Sequence, residues 1–214
     1  GGFDTVLNTG PGAGVTVDIA GLTLADALGG TDTIVAVGGV STVERIQGTD
    51  FADIFRPGLF VEFQGGGGVD VVDLSNVGAG FTVDLGLEEV RDDTDALVAT
   101  VTGMDDVTGG GFDDEITGGD GANTLAGENG DDTLRGALGL DTINGGAGDD
   151  LIIHAQGDGN DVIDGGADDD TVRVENGQGG GLFRLDANGA GARFQEVGGA
   201  ATDLALTSIE TFIF

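Results

Sequence analysis

The 214-residue chain has no cysteine, lysine, tryptophan or tyrosine, one histidine, one methionine and two prolines. Each absence removes a class of function. Without cysteine there is no disulfide framework and no thiolate metal site. One histidine without cysteine cannot assemble a zinc ligand set. Seven arginines stand against 39 acidic residues, a formal net charge of −32. No basic patch is available to meet phosphate, which excludes nucleic acid and an acidic membrane surface as partners. No apolar run approaches the ~20 residues of a membrane span, so membrane insertion is not expected. The GGGG and GGxG stretches lack the GK[ST] of a phosphate loop. Nothing around Ser41, Ser75 or Ser208 resembles a nucleophile elbow. Paired carboxylates are plentiful, but scattered arginines give no groove of acid, base and cation. A non-enzyme is expected. Gly1 opens the chain without a methionine or a signal sequence, which reads as a piece of a longer or trimmed protein.

What is present is glycine, 45 residues of it, aspartate, and a 39% share of hydrophobic residues. So high a negative charge alone would read as disorder. Val, Ile and Leu nevertheless recur at regular places. A chain with a core in prospect that repels itself needs something positive, and a divalent cation is the simplest candidate.

The regularity is a period of nine. From Gly109 the chain divides into GGGFDDEIT, GGDGANTLA, GENGDDTLR, GALGLDTIN and GGAGDDLII. An eleven-residue unit follows, HAQGDGNDVID, and then GGADDDTVR. Position six reads Asp114, Asn123, Asp132, Asp141, Asp150, Asp161 and Asp170; position eight reads Ile116, Leu125, Leu134, Ile143, Ile152, Ile163 and Val172. Glycine allows positive φ and close backbone approach, so the first six residues can form a tight turn with carbonyls pointing inward. The last three are extended, with only position eight inside. Two units make one coil of about eighteen residues, and units n and n+2 stack about 4.8 Å apart on one edge. Their aspartates then meet, which is unfavourable unless a cation lies between them. Carboxylates and backbone carbonyls, with no nitrogen or sulfur, suit Ca²⁺ better than Mg²⁺ or a transition metal. One aliphatic side chain per nine residues is too thin a core to order so charged a stretch, so metal binding has to supply the difference.

The units GGAGDDLII, GENGDDTLR and GGDGANTLA resemble the haemolysin-type, or repeats-in-toxin (RTX), calcium-binding nonapeptide GGxGxDxUx. The resemblance implies an all-β, right-handed parallel β-roll or β-helix solenoid whose glycine-aspartate turns hold Ca²⁺ between units n and n+2. Carried over, it pairs Asp114 with Asp132, Asp132 with Asp150 and Asp150 with Asp170 on one edge. On the other it pairs Asn123 with Asp141 and Asp141 with Asp161. Asn123 supplies one charge fewer. Glu128 and Ala137 replace the second glycine, and Phe112 and Asp168 replace that of position four. The eleven-residue step is expected to disturb register between Asp150 and Asp161. Roughly three to five well-formed sites are expected.

The flanks repeat one another. GFDTVLNTGPGAGVTVDIAG (2–21) matches GVDVVDLSNVGAGFTVDLGL (68–87) sixty-six residues on, and 166–189 with LTSIETFIF forms a third, divergent copy. GGGGVDVVD (65–73) is a full nonapeptide match with Asp70 at position six; Asp53, Asp4 and Asp32 occupy similar places. Asp70 and Asp53 therefore join the candidate ligands. The alternation in VTVDIAGLTL and FTVDLGL reads as half-buried strands, and TLADAL and EEVRDDTDAL as short helical turns. The chain divides into a divergent block (1–64), a second block opening with one nonapeptide (65–108), the nonapeptide roll (109–173) and a C-terminal capping block (174–214). Phe212 and Phe214 of the terminal ETFIF cap the last coil, or that strand continues into a partner. His154, at an insertion, reads as a solvated or locally hydrogen-bonded side chain.

The function expected from this is an extracellular Ca²⁺-binding module of a bacterial type I secreted protein. It would fold on meeting external Ca²⁺ and then act as a rigid scaffold. Two alternatives stand beside it. One is a surface-layer, adhesin or filament subunit with Ca²⁺-dependent self-assembly or contact with a cell-surface polymer. The other is an accessory module of a secreted hydrolase or polysaccharide enzyme.

Overall fold

A computed structural model of the chain describes residues 52–56, 62–155 and 157–175 with their side chains, and further strands on either side by backbone course. The strands are β1 (Thr5–Leu7), β2 (Val15–Asp18), β3 (Thr23–Asp26), β4 (Thr31–Thr33), β5 (Arg45–Gln47), β6 (Ile54–Arg56), β7 (Val61–Gln64), β8 (Val71–Asp73), β9 (Phe81–Asp84), β10 (Glu89–Asp92), β11 (Leu97–Thr102) and β12 (Asp106–Thr108). They continue as β13 (Glu115–Thr117), β14 (Thr124–Asn129), β15 (Thr133–Arg135), β16 (Thr142–Ala147), β17 (Leu151–Ala155), β18 (Val162–Ala167), β19 (Thr171–Glu175), β20 (Leu182–Ala187), β21 (Ala192–Val197), β22 (Asp203–Thr207) and β23 (Thr211–Ile213). No helix occurs among the described residues.

From β12 to β19, successive strands fall alternately on two sheets, so the chain winds as a parallel β-solenoid. One sheet carries β9-β13-β15-β17-β19-β23 in that order, the other β8-β12-β14-β16-β18. The position-eight residues stack in register. Val83, Ile116, Leu134, Ile152 and Val172 form one row. Val72, Val107, Leu125, Ile143 and Ile163 form the other. Every one of them is buried. Their neighbours at positions seven and nine point outward, as the period-two geometry of a strand requires; in β18, Ile163 is buried while Val162 is exposed. Phe55 and Phe63 widen the core before the array, their ring centroids 4.7 Å apart.

Among the described strands, three antiparallel excursions interrupt the winding: β2-β3-β4, β9-β10-β11 and β20-β21-β22. The first two are one motif. Val17 pairs with Leu24 in the first, and Val83 with Val90 sixty-six residues on. The two segments expected as helical turns lie here and are strands instead, TLAD as β3 and EVRD as β10. A five-residue helix has no stability of its own, whereas Val90 gains burial opposite Val83.

The eleven-residue unit does not disturb register. Ile143 stays opposite Ile163 and Ile152 opposite Val172. The two extra residues lengthen β17, adding the pairs His154–Val174 and Ala155–Glu175. Glu128, Ala137 and Asp168, which replace glycines, take φ values of 76°, 65° and 83°. The fold thus holds these three non-glycine residues of the array in the left-handed region, at roughly 1–2 kcal/mol each. The backbone of β23 places Phe212 in register with Val172. The side chain of Phe212, together with Phe214, Asp4 and the side chain of Asp32, lies outside the described residues.

Candidate metal-binding edges

Each coil turns from one sheet to the other through a glycine-rich loop that ends in aspartate or asparagine, one residue before a strand. Two rows result. Asp114, Asp132, Asp150 and Asp170 precede β13, β15, β17 and β19; Asp53, Asp70, Asn123, Asp141 and Asp161 precede β6, β8, β14, β16 and β18. All nine candidate residues are buried, none more than 6% exposed.

Each row is tied by a single repeated hydrogen bond. The backbone N–H of Asp114 donates to Oδ1 of Asp132 at 2.7 Å, that of Asp132 to Asp150 at 2.9 Å, and that of Asp150 to Asp170 at 3.0 Å. On the other edge the N–H of Asn123 donates to Oδ1 of Asp141 at 2.8 Å and that of Asp141 to Oδ1 of Asp161 at 3.0 Å. Asp53 donates in the same way to Oδ1 of Asp70 at 2.8 Å. Every pair expected from the nonapeptide resemblance is therefore adjacent, one coil apart. The gap between Asp70 and Asn123 is filled by Asp105, which the sequence reading missed. It accepts the N–H of Asp70 at 2.9 Å, and its carbonyl accepts from the Asn123 side chain. No glycine hexad precedes Asp105, but Asp105-Asp106-Val107 keeps the Asp-x-hydrophobic triplet that Asp53-Ile54-Phe55 and Asp70-Val71-Val72 share.

With one carboxylate oxygen committed to the backbone, the other decides the chemistry. Oδ2 of Asp132, of Asp141 and of Asp150 is buried and receives no hydrogen bond. Each faces the position-one glycine of its own loop. A methyl group on Gly127 would stand 2.3 Å from Asp132 Oδ2 and 2.5 Å from the Gly145 carbonyl oxygen of the next coil. On Gly145 it would meet Asp150 Oδ2 and the Gly165 carbonyl, both at 2.2 Å. At Gly65 the same pair is Asp70 Oδ2 at 2.2 Å and Gly103 O at 2.3 Å. At Gly127 and Gly145 a bare carboxylate oxygen and a carbonyl oxygen thus converge over a glycine that leaves them room. Unsatisfied buried oxygens are costly, and two sharing one point repel. A hard cation with an oxygen shell removes both costs. Among the described residues no three carboxylate or imidazole side chains converge, so such a shell draws on carbonyls as well as aspartates.

The electrostatics agree. Burial, reinforced by neighbouring carboxylates and opposed by the backbone N–H, pushes Asp132 up to about 7. The same causes push Asp70, Asp141 and Asp150 up to about 6. Without a cation these groups resist ionisation. Asp114 is also raised, chiefly by burial, but its Oδ2 accepts the N–H of Gly110 at 2.8 Å. Asn123 Oδ1 similarly accepts from Gly119 at 2.9 Å. These two, in the first units of the array, are satisfied by protein.

Asp161 differs. Its Oδ2 lies 3.0 Å from Nδ1 of His154, and that imidazole is 3% exposed. The expectation of a solvated histidine is thereby corrected; the local hydrogen bond is present. The insertion lengthens β17 just enough to carry the ring inside. A further row was not anticipated. Position-five residues Asp113, Asp131, Asp149 and Asp169 run outside the Asp114 edge; the N–H groups of Asp131, Asp149 and Asp169 each donate to Oδ1 of the aspartate one coil before, at 2.9–3.0 Å.

Residues 100–134, 127–158 and 157–179 match the family model of the RTX calcium-binding nonapeptide repeat, in four copies. No curated protein matches the chain. The residues from 100 to 179 are RTX repeats, and repeats of this kind form a β-roll and bind Ca²⁺. The aspartate edges described above lie mostly inside the matched stretch. The chain thus carries a calcium-binding repeat module.

Proposed function

We propose that the chain is an extracellular module of a bacterial protein exported by type I secretion, in which Ca²⁺ acts as a folding switch and the folded roll as a rigid scaffold, with no catalysis of its own. The observation that carries this reading is the series of orphaned carboxylate oxygens, Asp132, Asp141 and Asp150 Oδ2, over their glycines. They are assigned, with Asp70, Asp170 and the neighbouring glycine carbonyls, as the groups that would hold Ca²⁺. When bound, the cation supplies positive charge between coils. The chain's own contribution is to fix each carboxylate by its Oδ1 hydrogen bond, to leave space at glycine, and to bury the position-eight row that the coil closes over. Asp53, Asp114, Asn123 and Asp161 complete the rows; Asp114 Oδ2 and Asn123 Oδ1 accept backbone N–H groups, and Asp161 Oδ2 is partnered by His154. A net charge of −32 over so thin a core favours an unfolded, threadable chain wherever Ca²⁺ is scarce.

The test is far-UV circular dichroism during a Ca²⁺ titration from chelator to several millimolar, with Mg²⁺ alongside. A cooperative coil-to-β transition with Ca²⁺ alone is the expected result. Full β structure in chelator would overturn the switch and move the surface-structural alternative forward. Light scattering on the same samples reads that alternative directly, because a surface-layer or filament subunit would grow in size with Ca²⁺.

A further inference from the structure

The loop ending at Asp161 departs from its neighbours in three ways that coincide. It follows the only two-residue insertion of the array, His154-Ala155. Its position-one residue is Gln156, where the other six units carry Gly109, Gly118, Gly127, Gly136, Gly145 and Gly165. And Asp161 Oδ2, whose counterparts on Asp132, Asp141 and Asp150 receive no hydrogen bond, faces His154 Nδ1 at 3.0 Å. At Gly109, Gly127 and Gly145, the space above the glycine is where a carboxylate oxygen and a carbonyl oxygen converge. A glutamine puts a side chain at that position in the sequence, and the inserted histidine supplies a donor to the oxygen a cation would otherwise take.

We propose that His154 takes the place of a metal ion at the Asp161 turn, making it a metal-independent rung beside the calcium-dependent rungs of Asp132, Asp141 and Asp150. This rests on the calcium reading of the neighbouring edges. Both oxygens of Asp161 are committed to protein, Oδ1 to the N–H of Asp141 and Oδ2 to the imidazole. The ring is buried with its partner, 3% and 1% exposed, so the pair is held in a dry environment where a donor to a carboxylate is strongest. The consequence is asymmetry. The Asp114–Asp170 edge is all carboxylate, whereas the other ends with a protein-supplied donor at Asp161 and has an amide at Asn123. The rung stays closed when Ca²⁺ is low, which gives the array a seed from which neighbouring coils stack.

Two measurements test this. The first counts Ca²⁺ bound per chain at saturation, by equilibrium dialysis with elemental analysis, in the natural chain and in H154A. One ion more in H154A is the expected result, since the Asp161 oxygen is released. An equal count, or one ion fewer, would overturn the proposal, the latter because it makes the imidazole a support for a bound ion. The second needs no variant. The chain has a single histidine, so ¹⁵N-histidine labelling gives one pair of ring signals. In the Ca²⁺-saturated protein, Nδ1 should carry its proton in a persistent hydrogen bond. An Nδ1 without a proton, or one that loses its hydrogen bond as Ca²⁺ saturates, would sink the idea even if H154A fails to fold. Failure of the calcium reading looks different: the natural chain would bind no Ca²⁺ at all.

Discussion

At the scale of the residue, each coil is decided by one carboxylate oxygen and one missing methyl group. Asp132 has one Oδ1 hydrogen bond from Asp114, one bare Oδ2, and carboxylates one coil away on either side. Asp132→Asn keeps the shape and the acceptor but removes the charge. The Ca²⁺ midpoint of folding should rise about tenfold, the equivalent of 1.4 kcal/mol of lost interaction. Glu115→Gln, the same charge change on an exposed side chain of β13, should leave the midpoint within about twofold. Equal shifts in the two variants would mean that Ca²⁺ answers to overall charge and not to the edge. Gly145 makes the steric half of the argument. Gly145→Ala would push a methyl group into Asp150 Oδ2 and the Gly165 carbonyl, and should weaken Ca²⁺-dependent folding strongly. Gly121, over which nothing lies within 4 Å, should accept alanine with a change within about 1 kcal/mol. A denaturant melt of both variants at saturating Ca²⁺ checks the contrast.

At the scale of the element, the stacked strand triplets are only as strong as the one side chain each turns inward. Ile163 and Val162 are consecutive in β18, one fully buried and the other half exposed. Ile163→Ala opens a cavity in a row one residue wide and should cost about 2–5 kcal/mol. Val162→Thr should fall within about 0.5 kcal/mol; chemical denaturation with Ca²⁺ present reads both. This inward-outward alternation was legible in the sequence because position eight is aliphatic in every unit, and position six is an aspartate or asparagine in every unit. The sixty-six-residue repeat was equally visible, but not its shape. A match between two segments does not say whether the strands they contain run parallel or fold back, so the sequence of β10 reads as a helical turn, whereas the fold sets Val90 opposite Val83. Asp105 escaped for a related reason. Its hydrogen-bond partner is 35 residues away, with the β9-β10-β11 excursion where a glycine hexad was sought. The insertion at His154 was visible as a break in period, yet its effect was not. Two residues added to a strand keep the alternation in phase, so register survives and a buried imidazole is gained.

For the molecule as a whole, the issue is how a chain of net charge −32 holds ordered rows of carboxylates, and proton linkage provides the handle. Asp132 is held near 7, and Asp70, Asp141 and Asp150 near 6, against an ordinary value of 3.8. The metal-free fold therefore keeps protons that the unfolded chain releases. Below about pH 4 both states are protonated and folding carries no penalty from these groups. Between about pH 4 and 7 the unfolded chain ionises first, so stability falls as pH rises; above about 7 the whole penalty applies. Ca²⁺ needs the ionised forms, so its binding runs the opposite way. In chelator, β structure should appear as pH is lowered from about 7.5 to 4. The Ca²⁺ midpoint should fall as pH is raised from about 5.5 to 7.5, and binding near pH 6 should release protons, read by titration calorimetry in buffers of different ionisation enthalpy. The general relief of self-repulsion on acidification would also favour compaction, but it predicts no proton release on binding Ca²⁺ and no steep pH dependence of its midpoint. Proton release near pH 6 that is diminished in Asp132→Asn would place the linkage on the buried edge; release unchanged in that variant would place it on the exposed acidic surface, and the burial of the carboxylates would then have no part in the switch.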